Sequence, residues 1–179
     1  MISLLLSACG SGAAAEREIE ARRDEYAIAQ ELSFTVKLRA NVGETLFLCT
    51  LECVDTPEET TLRVVEPELI ANVTARLRSG ETELEYDGVR LAVGDLAASG
   101  LSPLTAAPML AKALKSGHVI RAWRETEHDR PLCAAELFFS DEWALTVWYD
   151  AADLSPVRGE FYKDGVLAAV CEIEQFTFR

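Results

Sequence analysis

The chain has 179 residues, enough for one ordinary domain, and an apolar fraction of 49% that can build a real core. Thirty acidic against seventeen basic residues leave a formal charge of −13. Nucleic acid is therefore not expected as a partner: phosphate binding needs clustered Lys and Arg, and the nearest approaches, Arg22-Arg23 and Arg76/Arg78, are isolated pairs among acids. No apolar run approaches 18 residues, so no transmembrane helix is expected.

At the N-terminus, Leu6-Ser7-Ala8-Cys9 ends a short apolar run in two small residues and a cysteine. This stretch resembles the lipobox of bacterial lipoproteins. The resemblance implies that Cys9 carries a diacylglycerol, is palmitoylated in the manner of that family, and anchors the protein on the extracytoplasmic face of the cell membrane. Two acyl chains, at roughly 0.8 kcal/mol per buried methylene, hold where one is marginal. Residues 1–8 then read as a signal remnant, shorter than the usual h-region of about 7–15 residues and without a basic residue before Arg17, as in a truncated start. Residues 9–15 read as the lipidated cysteine and a flexible tether, since Gly10-Ser11-Gly12-Ala13-Ala14-Ala15 buries little surface. Residues 16–31, rich in helix formers and free of Gly and Pro, predict a charged helix. Ile19, Tyr26 and Ala29 are its few candidates for burial, so weak docking is expected.

From Ser33 the period changes to two. Phe34, Val36 and Leu38 alternate with Thr35, Lys37 and Arg39, the pattern of a strand buried on one face. A turn at Asn41–Glu44 leads to a strand over Leu46–Val54 with Phe47, Cys49, Leu51 and Cys53 on one side. Further strands are predicted at 60–66, 69–77, 82–86 and 89–93, broken at Asp55-Thr56-Pro57, Pro67, Ser79-Gly80 and Asp87-Gly88, the last a strong hairpin signal. Between Gly94 and Gly117 the pattern turns helical, with a start at Ser102-Pro103, a stop at Gly117 and Pro108 dividing two short helices. Extended segments follow at 119–124, 132–139, 143–149, 157–163 and 166–178. The sum is a long antiparallel sheet, mainly β with an α+β admixture, interrupted once by helix.

Four places in this pattern resemble the lipoprotein-carrier superfamily of LolA, LolB and the mycobacterial LppX group. They are Glu66-Pro67-Glu68, the hairpin Glu85-Tyr86-Asp87-Gly88-Val89, the Ser-Pro-containing helical insertion, and Trp148-Tyr149-Asp150 with Ser155-Pro156-Val157 and Asp164-Gly165. The resemblance implies that residues 32–179 form a LolA-like half-barrel, a curved antiparallel sheet with a short helical lid and an apolar inner face that holds acyl chains or lipidated proteins. Leu101, Leu104, Leu110 and Leu114 would supply the lid. Ligand-lining candidates are Phe34, Val36, Leu38, Phe47, Leu51, Leu84, Tyr86, Leu91, Leu110, Leu114 and Trp148. Alanines at 71, 75, 92, 134, 135, 168 and 169 leave either room inside or close contact with the lid. Arg39, Arg63 and Arg90 are the strand arginines that could stand at the mouth.

No catalytic constellation is found, and no metal or other cofactor is expected. His118 and His128 lack a nucleophile context, there is no Gly-rich phosphate loop, and the acidic runs read as solvated edges. With Cys9 lipidated, four cysteines remain. Cys49 and Cys53, about 13 Å apart along one strand, cannot bridge, and free thiols packed as small hydrophobes are the favoured reading. Two functions compete: a membrane-anchored lipoprotein binding a lipid or other apolar ligand, and a non-catalytic adaptor for a cell-envelope protein partner such as a cell-wall enzyme. A deep apolar cavity favours the first; a filled core with an exposed apolar edge favours the second.

Overall fold

A computed structural model describes residues 9–42, 45–95 and 101–179. Helix α1 (Cys9–Ile28) precedes six strands, β1 (Leu32–Val42), β2 (Thr45–Asp55), β3 (Thr60–Glu66), β4 (Thr74–Arg78), β5 (Glu81–Tyr86) and β6 (Val89–Gly94). Helix α2 (Ala106–Ser116) follows, then β7 (His118–Glu127), β8 (Arg130–Phe138), β9 (Ala144–Asp150), β10 (Pro156–Lys163) and β11 (Val166–Phe178). All strands join one antiparallel sheet in the order β6-β5-β4-β3-β2-β1-β11-β10-β9-β8-β7, so β1 and β11 meet at the centre and β6 and β7 form the edges. The sheet is not closed into a barrel, which is the expected half-barrel with α2 as its helical lid, and it carries both helices on one face.

Alternation decides which face is which. Phe34, Val36, Leu38 and Ala40 are buried on the inner face of β1, while Lys37 and Arg39 point outward. Their neighbours across β11 (Ile173, Cys171, Ala169) and β2 (Cys53, Leu51) continue the same apolar surface. Helix α2 fills the hollow with a face of small and branched side chains, Ala106, Ala107, Leu110, Ala111, Ala113 and Leu114, all buried. The fit is close at Gly159, where an added Cβ would lie 3.0 Å from Leu110 Cδ1. Three of the alanines, Ala75, Ala135 and Ala169, belong to this packed core rather than to the wall of an open cavity.

The predicted strands at 60–66 and 166–178 are reproduced residue for residue, and the others within a few residues, with one exception. In place of a strand from 69, a 3-10 turn spans Glu68–Ile70 and β4 begins only at Thr74, because Asn72 adopts a left-handed backbone (φ 67°) that ends extended pairing. Pro108 does not divide two helices: it sits in the first turn of α2, where no intrahelical N–H is needed. The Asp-Gly hairpins form as expected, with Asp87/Gly88 at 49° and 77° and Asp164/Gly165 at 52° and 76°. His128-Asp129 makes a third such turn, at 48° and 64°.

Helix α1 departs most from expectation. It begins at Cys9, so residues 9–15 are helical where a flexible tether was expected, and Ala13-Ala14-Ala15 are strong helix formers. Nor does it dock weakly. Ala15, Ile19, Arg23 and Tyr26 form a buried stripe at helical spacing, and Gly12 lies so near β7 that a Cβ would approach Ala122 O to 3.2 Å. Tyr26 meets Phe176 and Phe178 edge-on at 5.3 and 5.0 Å and donates to Leu154 O at 3.0 Å. Arg124 pairs with Glu18 at 2.5 Å. Residues 1–8, the expected signal remnant, lie outside the described residues.

Cys49, Cys53, Cys133 and Cys171 are free thiols, as favoured from spacing. Burial pushes Cys171 up to about 12 and raises Cys53, Cys133 and the half-buried Cys49. Because only the thiolate attacks, a thiol reagent at pH 8 should leave Cys53, Cys133 and Cys171 unlabelled in the native protein and modify all three after unfolding. Labelling of these three in the folded chain as fast as in urea would contradict the packing.

Candidate ligand groove

The inner hollow is occupied, so the space for a ligand lies beside α2. A groove of about 1110 Å³ runs along its open flank. It is lined by Leu101, Pro108, Met109, Lys112 and Lys115 from the helical segment, by Asp55–Thr60 of the β2–β3 turn, by Leu77 and Arg78 of β4, and by Phe139, Trp143 and Lys163 from the far wing of the sheet. Leu77, Leu101, Met109, Phe139 and Trp143 give it an apolar floor; all are buried or half-buried.

The groove's walls are fixed by local bonding. Ser102 and Thr105 exchange backbone and hydroxyl hydrogen bonds before α2, with Ser102 N–H to Thr105 Oγ1 at 2.7 Å and Thr105 N–H to Ser102 Oγ at 3.2 Å. At the other end Lys115 Nζ reaches Asp55 Oδ2 at 2.7 Å, with side-chain exposures of only 18% and 12%, and Thr60 Oγ1 donates to Asp55 Oδ1 at 2.5 Å. This pair ties α2 to β2. Arg78 pairs with Glu59 at 2.9 Å, and the turn is closed by Thr56 Oγ1 to Glu59 O at 2.9 Å. Lys163 Nζ stands 5.2 Å over the Trp143 ring.

None of the eleven ligand-lining candidates lines this groove. Phe34, Val36, Leu38, Leu51, Leu110 and Leu114 lie in the packed core, since the helices cover the stretch of inner face that they occupy. Leu84 packs against that core from β5, whereas Tyr86 and Leu91, on the uncovered wing, are 53% and 60% exposed, and Phe47 is 44% exposed. Trp148 faces outward: it packs with Trp123, Leu132, Ala134 and Val157, donates Nε1–H to Glu125 Oε1 at 2.7 Å, and lies under Arg158 at 4.1 Å. Of the strand arginines, Arg63 pairs with Glu52 and Arg90 with Glu83 and Glu85, while Arg39 lines a second groove on the outer face; the arginine at the mouth is Arg78. The signals that could have found the groove were Lys112 and Lys115, on the polar flank of an otherwise apolar helix, and Trp143 beside a turn. Cys9, the lipidation candidate, is the first residue of α1.

Among the described residues no group of three or more His, Cys, Asp or Glu is arranged to hold a metal ion, and no helix is long and apolar enough to cross a membrane. His118 and His128 bracket β7, at opposite ends of a ten-residue strand.

The Lys115–Asp55 pair carries a direct stability test. Asp55→Ala leaves a largely buried ammonium without its counter-charge and should cost about 3 kcal/mol, read as a lower urea midpoint. An unchanged midpoint would mean that α2 is not held at this end.

No protein-family model matches the sequence, and no curated protein matches it. Solved structures do. LprF from Mycobacterium bovis superposes with a TM-score of 0.52 at 12% identity, covering 93% of this chain and 95% of that one. The lipoprotein LppX from Mycobacterium tuberculosis gives 0.51 at 11% identity, covering 92% and 95%. A domain assigned as outer membrane lipoprotein-sorting from Vibrio parahaemolyticus gives 0.52 at 12% identity, covering 92% and 93%. At these identities the likeness concerns the fold alone, an open antiparallel sheet with helices on one face.

Proposed function

We propose that the chain is a lipoprotein of the cell envelope, anchored through Cys9 on the extracytoplasmic face of the membrane, that binds a lipid or other apolar ligand in the groove along α2 and performs no catalysis. The observation that carries the binding half is the groove itself. About 1110 Å³ of space with a floor of Leu77, Leu101, Met109, Phe139 and Trp143 lies on the inner side of a fold shared with the lipoprotein LppX. Its volume is at the upper end of small-molecule sites, roughly 300–1,000 Å³, and its lining sets an apolar floor among charged groups. The anchor rests on the four-residue match ending in Cys9.

Helix α1 adds a geometric consequence of that reading. Because it starts at Cys9, lipidation places the acyl chains at the very start of a docked helix, with no slack between membrane and domain. About 20 residues at 1.5 Å rise set the domain's β1 end some 30 Å from the anchor.

A second reading is favoured by a different surface. Thr45–Cys49 of β2 pair only with β1, because β3 pairing starts at Thr50. Leu46 and Leu48 there are 53% and 63% exposed, beside the outer groove lined by Arg39, Val65 and Pro67. An open apolar strand edge suits strand addition by a protein partner.

Two measurements test the first reading. Labelled palmitate should enter the wild-type chain expressed in a bacterium with lipoprotein processing, and Cys9→Ala should abolish it; label retained in that variant would place the lipid elsewhere. Native mass spectrometry of the purified protein should detect a bound species of lipid mass that is lost on unfolding. A clean apo mass after incubation with candidate lipids would turn the search to the β2 edge.

A further inference from the structure

We infer that the groove along α2 takes a phosphate-bearing amphiphile, with the phosphate held between Lys112 and Lys163 and the acyl chain on the Leu77–Met109–Trp143 floor. This rests on the amphiphile-binding reading above and names its ligand class.

The distribution of lysine is the starting point. The chain contains four, and three of them, Lys112, Lys115 and Lys163, line this one groove. The fourth, Lys37, is engaged on the outer face with Glu174 at 2.8 Å. Within the groove the cations divide by partner. Lys115 is neutralised by Asp55 and Arg78 by Glu59. Lys112 and Lys163 form no ion pair among the described residues, although both are exposed in a chain where acids outnumber bases. Most other cations of the sheet have found a carboxylate, as Arg63, Arg76, Arg121, Arg130 and Arg158 show.

The remaining charges of the lining are Glu58 and Glu142, both exposed at the rim. The groove's four acids (Asp55, Glu58, Glu59, Glu142) and four bases (Arg78, Lys112, Lys115, Lys163) therefore balance, against −13 for the whole chain. An anion approaching this groove meets less repulsion than the overall charge of the chain would give.

Two free ammonium groups on separate elements, α2 and the end of β10, suit a headgroup with several charged oxygens better than a single carboxylate. Lys163 is steered by the Trp143 ring at 5.2 Å, which sets its charge beside the apolar floor. Met109, one turn before Lys112 on the same flank, brings apolar surface next to the second ammonium. Headgroup and chain contacts are thus adjacent, as an amphiphile requires.

The test titrates the full chain with short-chain phosphatidylglycerol, phosphatidylethanolamine, the corresponding diacylglycerol without phosphate, and inorganic phosphate. The wild type should bind both phospholipids more tightly than the diacylglycerol. The double variant Lys112→Gln/Lys163→Gln, altered only at exposed positions, should lose about tenfold for the phospholipids and nothing for the diacylglycerol. Equal affinity for diacylglycerol, or a double variant that binds phospholipid as the wild type does, would overturn the headgroup assignment while leaving the amphiphile reading intact. Inorganic phosphate binding as tightly as phospholipid would overturn the amphiphilic part, and failure of all three lipids would overturn the reading on which the inference rests.

Discussion

The seating of α2 in the hollow of the sheet is the contact on which the rest depends. An open eleven-stranded sheet exposes one apolar face, and that face cannot stay in water: each Å² left wet forgoes about 25 cal/mol. Helix α2 covers the central strands with Leu110 and Leu114 against β1, β2 and β11, and Gly159 clears the space that Leu110 occupies. Helix α1 covers β7 and β8, and both helices touch each other. What remains uncovered is the wing of β5 and β6, and what remains hollow is the flank of α2 that the sheet does not reach.

Charge follows this division. The outer face is covered by cross-strand pairs, Lys37 with Glu174, Arg63 with Glu52, Arg76 with Glu85 and Arg130 with Asp150, each weak in solvent but together leaving few free cations. Around Trp123 and Trp148 the pairing extends to aromatic rings, with Glu125 accepting both indole N–H groups at 2.6 and 2.7 Å. Inside, the polar exceptions are fewer. Arg23 is 8% exposed with its Nε unpartnered, and the Tyr149 hydroxyl opposite it is likewise buried without a hydrogen bond. Burial pushes the Tyr149 phenol up, so it stays neutral throughout the physiological range.

Much of this was legible in the residues because a half-buried strand writes its period directly into the chain. Phe34-Val36-Leu38 and the run from Val166 to Phe178 are strands in the structure at the positions read from alternation, and Asp87-Gly88 and Asp164-Gly165 turn as their chemistry demands. The resemblance to the LolA group supplied the half-barrel. In helix α1 the foreseen Ile19, Tyr26 and Ala29 are buried, but the stripe also takes in Ala15 and Arg23, residues whose burial depends on the partner surface, so its docking is stronger than expected. The site was less legible for a related reason. Periodicity tells which side of a strand faces inward, as it did for Phe34, Leu51 and Leu84, but says nothing about which stretch of the inner face a helix will cover. Met109 meets Phe139 and Trp143, thirty or more residues further along the chain, only through the curl of the sheet.

The central claim is that a ligand lies along the open flank of α2 rather than within the sheet or on its outer face, and the tryptophans are placed to test it. Trp143 alone lines the groove, whereas Trp123 and Trp148 pack together on the outer face and share with Trp143 a further hollow there. A phospholipid brominated in its acyl chain should quench the tryptophan emission of the wild type, and the quenching should vanish in Trp143→Phe. Quenching that persists in that variant would place the lipid against Trp123 and Trp148, and would contradict the account.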